Sequence, residues 1–116
     1  MASALGRRGE DVACKFLKKH RYKILERNFS CRFGEVDIIA FKAKTLAFIE
    51  VKTRSVGALD RPAAFVDYYK QRRIIKTAEV YLAYNEIDAD VRFDVIEVVK
   101  SDKKFILHHI ENAFGL

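Results

Sequence analysis

The chain reads as an α/β protein, a central mixed β-sheet flanked by helices in the order α-β-β-β-α-β-β. Three observations carry that expectation. Apolar residues recur at helical spacing near both the start and the middle of the chain. Between Gly34 and Arg54 two runs alternate in the manner of strands and are joined by a short Lys-Ala-Lys turn, which predicts an antiparallel hairpin. Two further apolar runs close the chain, separated by the polar Lys100-Ser101-Asp102-Lys103. At 116 residues, these elements form one domain spanning 1–116.

The first helix is expected over about residues 3–20. Leu5, Val12, Ala13, Phe16 and Leu17 gather on one side, with Arg7, Arg8, Asp11, Lys15, Lys18 and Lys19 on the other. Glu10 falls at the border of the apolar stripe, one turn from Ala13, where it can point along the core surface. Residues 22–29 read as the first strand and 30–33 as a polar turn. In the third strand Ala47, Ile49 and Val51 face one way, and Phe48, Glu50 and Lys52 the other. Apolar residues on both faces make this strand central, with its charged pair at the end. A loop over 55–61 leads to Pro62, a favoured helix-start residue, and the second helix runs to about Tyr84 with Ile74, Ile75, Ala78 and Leu82 on its stripe. Residues 91–99 and 104–110 are the last two strands.

Half of the residues are hydrophobic, enough for a packed core, and one proline with five glycines argues against disorder. Lys and Arg number 22 against 16 Asp and Glu, a net charge of +6 that suits a polyanionic partner. The N-terminal residues lack the apolar run of a signal peptide, and no stretch is long and apolar enough to cross a bilayer. Cys14 and Cys31 have no zinc-ligand spacing; reduced thiols in a cytoplasmic protein are expected, with Cys14 acting as a small apolar residue. His20, His108 and His109 are expected at surface or turn positions.

Asp37 lies in one strand of the hairpin, Glu50 and Lys52 in the next. Glu50 and Lys52 project from one face, roughly 6–7 Å apart along the strand. Two acids and a lysine facing one cleft can hold a hard divalent cation and charge a water beside it. Mg²⁺ is held by one or two carboxylates that leave its other positions to water and phosphate. Asp37 and Glu50 are the candidate ligands, with the Val51 carbonyl as a third and Glu10 as a further one if the first helix packs against the hairpin edge. Lys52 can orient or deprotonate the water, or steady the phosphorane charge. Without metal the two carboxylates repel, which raises the pKa of one. The competing interpretation is structural, with Asp37 and Glu50 simply salt-bridged to Lys52 and Arg54. Glu35 is an edge acid that could replace Asp37.

Asp37, twelve intervening residues and then Glu50-Val51-Lys52 resemble the PD-(D/E)xK nuclease motif. The fuller run Gly9-Glu10, Arg27-Asn28-Phe29, Gly34-Glu35-Val36-Asp37, Phe48 to Arg54, Arg92-Phe93-Asp94-Val95 and Asn112-Ala113-Phe114 resembles the bacterial YraN-like family, classed with endonucleases, across nearly the whole chain. The helical acid with D…ExK is also similar to archaeal Holliday-junction resolvases. The resemblance implies a restriction-endonuclease-like core, dependence on Mg²⁺ (or Mn²⁺) and a nucleic-acid substrate. It implies Glu10, Asp37, Glu50 and Lys52 as the active-site set. Val36 stands where the superfamily motif has proline.

Arg54 follows the motif, and Lys70, Arg72, Arg73 and Lys76 cluster in the second helix with Tyr68 and Tyr69 among them. Arg54, Lys70, Gln71, Arg72 and Arg73 are the candidate nucleic-acid contacts, against the alternative of a solvated helix face. Gln71 shares the stripe of Ile75, Ala78 and Leu82, and could reach a phosphate or Lys52 or cap the core. Arg92 and Asp94 are expected to be a structural pair. The function expected is a metal-dependent endonuclease acting on DNA, branched or structured DNA included. The alternatives are a non-cleaving nucleic-acid-binding module of the same fold, or an interaction protein whose acidic cleft is not catalytic. Symmetric cutting of two strands would call for a homodimer.

Overall fold

A computed structural model of the chain describes residues 3–56 and 66–115. The elements follow the expected order: α1 (Ala4–Lys19), β1 (Lys23–Cys31), β2 (Gly34–Lys42), β3 (Thr45–Ser55), α2 (Tyr68–Asn85), β4 (Asp90–Ser101) and β5 (Lys104–Phe114). The strands form one sheet in the order β1-β2-β3-β4-β5. Neighbouring strands are antiparallel except β3 and β4, a parallel pair whose connection carries α2. The architecture is the mixed α/β arrangement expected of a restriction-endonuclease-like core, with β3 in the middle of the sheet.

The alternation along β3 separates two apolar layers. Phe48 joins Ile39, Phe93 and Val95 beneath Ile74, Ile75, Ala78 and Tyr81 of α2. Ala47 and Ile49 join Ile38, Ile96 and Val98 beneath Ala13, Cys14 and Leu17 of α1. Each fully buried aliphatic side chain contributes about 1.5–3 kcal/mol relative to exposure, so these two layers fix which helix lies on which face. Cys14 is buried among apolar residues, as expected.

Several boundaries differ from the sequence expectation. Tyr22 precedes β1, and Ser30 and Cys31 belong to the strand, because Cys31 pairs with Gly34 across a two-residue turn. The β2–β3 turn is Ala43-Lys44, not three residues: Lys42 pairs with Thr45, and both turn residues have left-handed φ values, 49° and 61°, that match the twist of a tight hairpin. Pro62 lies outside the described residues. The described helix α2 begins at Tyr68, because Val66 and Asp67 are not helical and the Asp67 carboxylate caps the helix by accepting from the Lys70 N–H at 2.8 Å. β4 and β5 are longer than expected and meet at a two-residue turn, Asp102-Lys103.

The interior also holds a polar cluster that corrects the expectation for His109. Asp94, fully buried, accepts from Arg92 through both oxygens at 2.9 Å and from the Asn112 N–H at 3.0 Å. It also lies 2.8 Å from His109 Nε2. His109 is a largely buried partner of Asp94, packed edge-on against Phe16 and Tyr22, and not a surface residue. Burial alone would raise the Asp94 pKa, but the bonds from His109, Arg92 and Asn112 hold it below the ordinary carboxylate range. The Arg92–Asp94 pair is structural, as expected. Among the described residues no buried side-chain nitrogen or oxygen lacks a partner.

Candidate active site

The site forms where β2 leaves its neighbours. Pairing between β2 and β3 ends at Ile38 and Ile49, one step before Asp37 and Glu50 would face each other. On the other side Arg27 pairs with Ile38 and Phe29 with Val36, while Asn28 and Asp37 between them are unpaired. Asn28 has a left-handed φ of 53°, and across this break the strands change faces: Ile38 packs under α1 but Val36 under α2. Asp37 is thereby released from the ladders. Its Oδ2 instead accepts the Val51 N–H at 2.8 Å, which fixes the carboxyl against the middle of β3.

Glu50, almost wholly buried, reaches the same point from β3 and is in hydrogen-bonding contact with Asp37. Burial and the Glu50 charge push the Asp37 carboxyl up to about 8, although the bond from Val51 pulls the other way. Two lysines converge on a single oxygen, Glu50 Oε2: Lys70 Nζ at 2.7 Å and Lys52 Nζ at 3.5 Å. Burial would lower the Lys70 pKa, but its bond to Glu50 and the charges of Glu50, Asp37 and Asp67 raise it. An open cleft of about 410 Å³ is lined by Glu10, Glu35, Asp37, Glu50, Lys52 and Lys70, among others. A second one of about 380 Å³ continues past Asp37, Glu50 and Lys70 to Asp67, Tyr69 and Arg73.

Glu10 enters this cleft from α1. It is buried, its Oε1 accepts from Asn28 Nδ2 at 3.0 Å, and Arg27 lies 3.7 Å away while bonding Asp11 at 2.9 Å. Gly9 makes the approach possible: a Cβ there would lie 2.0 Å from the Thr53 hydroxyl of β3, so the helix can come this close only without a side chain. The four residues expected to form the active-site set therefore line one cleft.

The candidate nucleic-acid contacts divide. Lys70 belongs to the carboxylate site itself. Arg73 borders the cleft but donates to the Phe33 carbonyl at 3.0 Å. Arg54 is paired with Glu97 on β4 at 3.1 Å. Gln71 donates to the Val66 carbonyl at 2.7 Å, tying the start of α2 to the preceding backbone. Arg72 is exposed on α2, and Tyr69, 83 % exposed, stands at the cleft mouth. Glu35 is an exposed acid at the rim. Sequence reasoning missed Asn28 as the partner of Glu10. Its signal is slight, an asparagine within a strand pattern, a residue type that tolerates left-handed φ.

Among the described residues no three His, Cys, Asp or Glu side chains are gathered into a ready-made metal cluster. The donor set is a pair of hard carboxylate oxygens in mutual contact, with burial and repulsion raising the proton affinity of one. That fits Mg²⁺, which is commonly held through one or two carboxylates with water completing its shell.

Among the described residues, two helices on a five-strand mixed sheet, with D…ExK at a strand break, are the architecture expected of the restriction-endonuclease-like class. The chain belongs to Uncharacterised protein family UPF0102, whose sequence pattern matches residues 9–98. It is 49% identical over 114 residues to a UPF0102 protein of Geobacter metallireducens, covering 97% of this chain and 93% of that one. It is 45% identical over 117 residues to one of Alkaliphilus oremlandii, covering 98% and 100%. It is 43% identical over 114 residues to one of Caldanaerobacter subterraneus, covering 95% and 93%. Among the described residues no helix is long and apolar enough to cross a membrane.

Proposed function

We propose that the protein is a metal-dependent endonuclease that hydrolyses phosphodiester bonds in DNA, acting in the cytoplasm. The observation that carries this is the meeting of Asp37 and Glu50 at a strand break with Lys52 and Lys70 on the same carboxylate. Mg²⁺ or Mn²⁺, held by Asp37 and Glu50, would supply a Lewis acid for the phosphoryl oxygens and a more acidic water. The chain's own residues do the rest. Asp37, which lines the cleft, is oriented there by the Val51 N–H. Lys52 orients the attacking water or takes its proton, and then steadies the charge on the pentavalent phosphorus. Glu10, held by Asn28, supports the site from α1 or takes part in holding a second ion. Tyr69 offers an aromatic face to a base at the cleft mouth, and Arg72 and Arg73 add positive charge beside it. A cut through both strands calls for a two-fold pair of chains.

A non-cleaving nucleic-acid-binding module is favoured by one observation, that Glu50 is already neutralised by lysine. Incubating the protein with branched, single-stranded and duplex DNA in Mg²⁺, Mn²⁺ or EDTA separates the two. Metal-dependent cutting that disappears in Glu50→Ala and Lys52→Ala while binding persists supports the nuclease. Binding with no cutting in any metal supports the module.

A further inference from the structure

Lys70 is placed oddly for a simple phosphate contact. Its Nζ is 2.7 Å from Glu50 Oε2, closer than the 3.5 Å of Lys52 to the same atom. Glu50 is nearly buried, whereas the Lys70 side chain is 46% exposed. The ammonium thus covers the oxygen from the solvent side. Mg²⁺ sits about 2.0–2.1 Å from a ligating carboxylate oxygen, so it and this ammonium cannot share Oε2 without close contact of like charges. Lys70 rises from the capped first turn of α2, and its four-carbon stem can swing without moving the helix.

Charge balance points the same way. Ionised Asp37 and Glu50 carry two negative charges, matched by Lys52 and Lys70. A dication held by Asp37 and Glu50 matches their two charges and leaves Lys52 and Lys70 without that carboxylate partner, which the phosphates of a bound strand can supply. Tyr69, beside Lys70 and open to solvent, stands on the rim where such a strand would run.

We propose that Lys70 is a displaceable counter-ion: it holds Glu50 until a divalent cation takes that carboxylate, and then turns to a nucleic-acid phosphate, so that metal and nucleic acid bind cooperatively. This rests on the metal-dependent, nucleic-acid-directed function proposed above. Lys70 is then a positioning residue for metal entry and a direct contact for the strand. By linkage, the factor by which metal tightens nucleic-acid binding equals the factor by which nucleic acid tightens metal binding.

The test uses Mn²⁺ titrated calorimetrically into the full chain without DNA. A second titration follows the anisotropy of a labelled oligonucleotide in EDTA and in Ca²⁺, which is offered as a non-cleaving ion. Lys70→Met is expected to bind Mn²⁺ at least roughly threefold more tightly than wild type, since a competing ion pair is removed. The Ca²⁺-induced gain in oligonucleotide affinity is expected to shrink by at least half in the same variant. Lys70→Gln serves as a second variant, and thermal unfolding of each checks that it folds. Equal or weaker Mn²⁺ binding by both folded variants overturns the exchange, provided that wild type binds Mn²⁺ and Glu50→Gln does not. Absence of Mn²⁺ binding in wild type overturns the metal site itself, and the exchange with it.

Discussion

Asp37→Asn is expected to make the metal-free protein more stable while removing its response to metal. The substituted amide keeps an oxygen to accept the Val51 N–H, so the bond that positions the side chain survives. What disappears is the cost of a carboxyl held near another carboxylate in a mostly dehydrated niche. The unfolded chain releases the Asp37 proton near 3.8, whereas the fold retains it to about 8. Between those values the folded state binds more protons than the unfolded one, so this residue lowers stability progressively as pH rises through the window. At neutral pH the full displacement would amount to something on the order of 4 kcal/mol. The carboxyl is partly exposed and can share its proton with Glu50, so about 1–3 kcal/mol is expected at pH near 7. For a chain of this size that is a rise in Tm of roughly 4–12 °C in EDTA. Thermal unfolding from about pH 5 to 8 measures it: the advantage of the variant should grow with pH. Excess Mn²⁺ should raise the Tm of wild type and not that of the variant. A variant no more stable than wild type at every pH would refute the argument that Asp37 is electrostatically strained.

Mn²⁺ affinity should rise by about tenfold per pH unit below about 8 and then level off, with close to one proton released per ion bound, because the metal must displace the Asp37 proton. Calorimetry in buffers of different ionisation enthalpy counts that proton; a flat pH profile would contradict its assignment. Gly9→Ala should cost about 1–3 kcal/mol in urea unfolding, since its Cβ would collide with Thr53 and push α1 from β3. The same substitution should displace Glu10, and unchanged stability would show that the helix is not pinned there. Asp94→Ala should cost about 3–5 kcal/mol, because Arg92, His109 and the Asn112 N–H all lose their shared acceptor. A loss below about 1 kcal/mol would mean that this buried cluster contributes little to holding β4 and β5.

The parts of the fold that are legible in the sequence are those set by periodicity. The stripe of α1 and the two-sided apolar pattern of β3 each follow from local spacing, and the structure places them accordingly, but the charged pair expected at the end of that strand lies in its middle, because β3 runs on to Ser55 beside β4. The convergence of Asp37, Glu50 and Lys52 is legible for the same reason, since a short hairpin leaves few ways to arrange its strand ends. The position of Glu10 on the helix border is legible, but its contact with Asn28 is not. That contact depends on a strand break between residues 27 and 29, and a left-handed asparagine in a strand leaves no periodic trace. In the sequence Lys70 is one basic residue among several on α2. Its bond to Glu50 depends on how the helix crosses the sheet, which is tertiary packing that no local pattern encodes. The surface position expected for His109 fails for a related reason. Its partner Asp94 lies fifteen residues away on the neighbouring strand, and the burial of both is a property of the assembled sheet.

The most direct test is the anomalous scattering of a crystal of the full chain grown or soaked with Mn²⁺. A single strong peak, or two close ones, is expected within coordination distance of both Asp37 and Glu50, with Lys70 Nζ withdrawn from Glu50 Oε2. A fully soaked crystal with no peak between those carboxylates, and Lys70 still bonded to Glu50, would contradict that expectation.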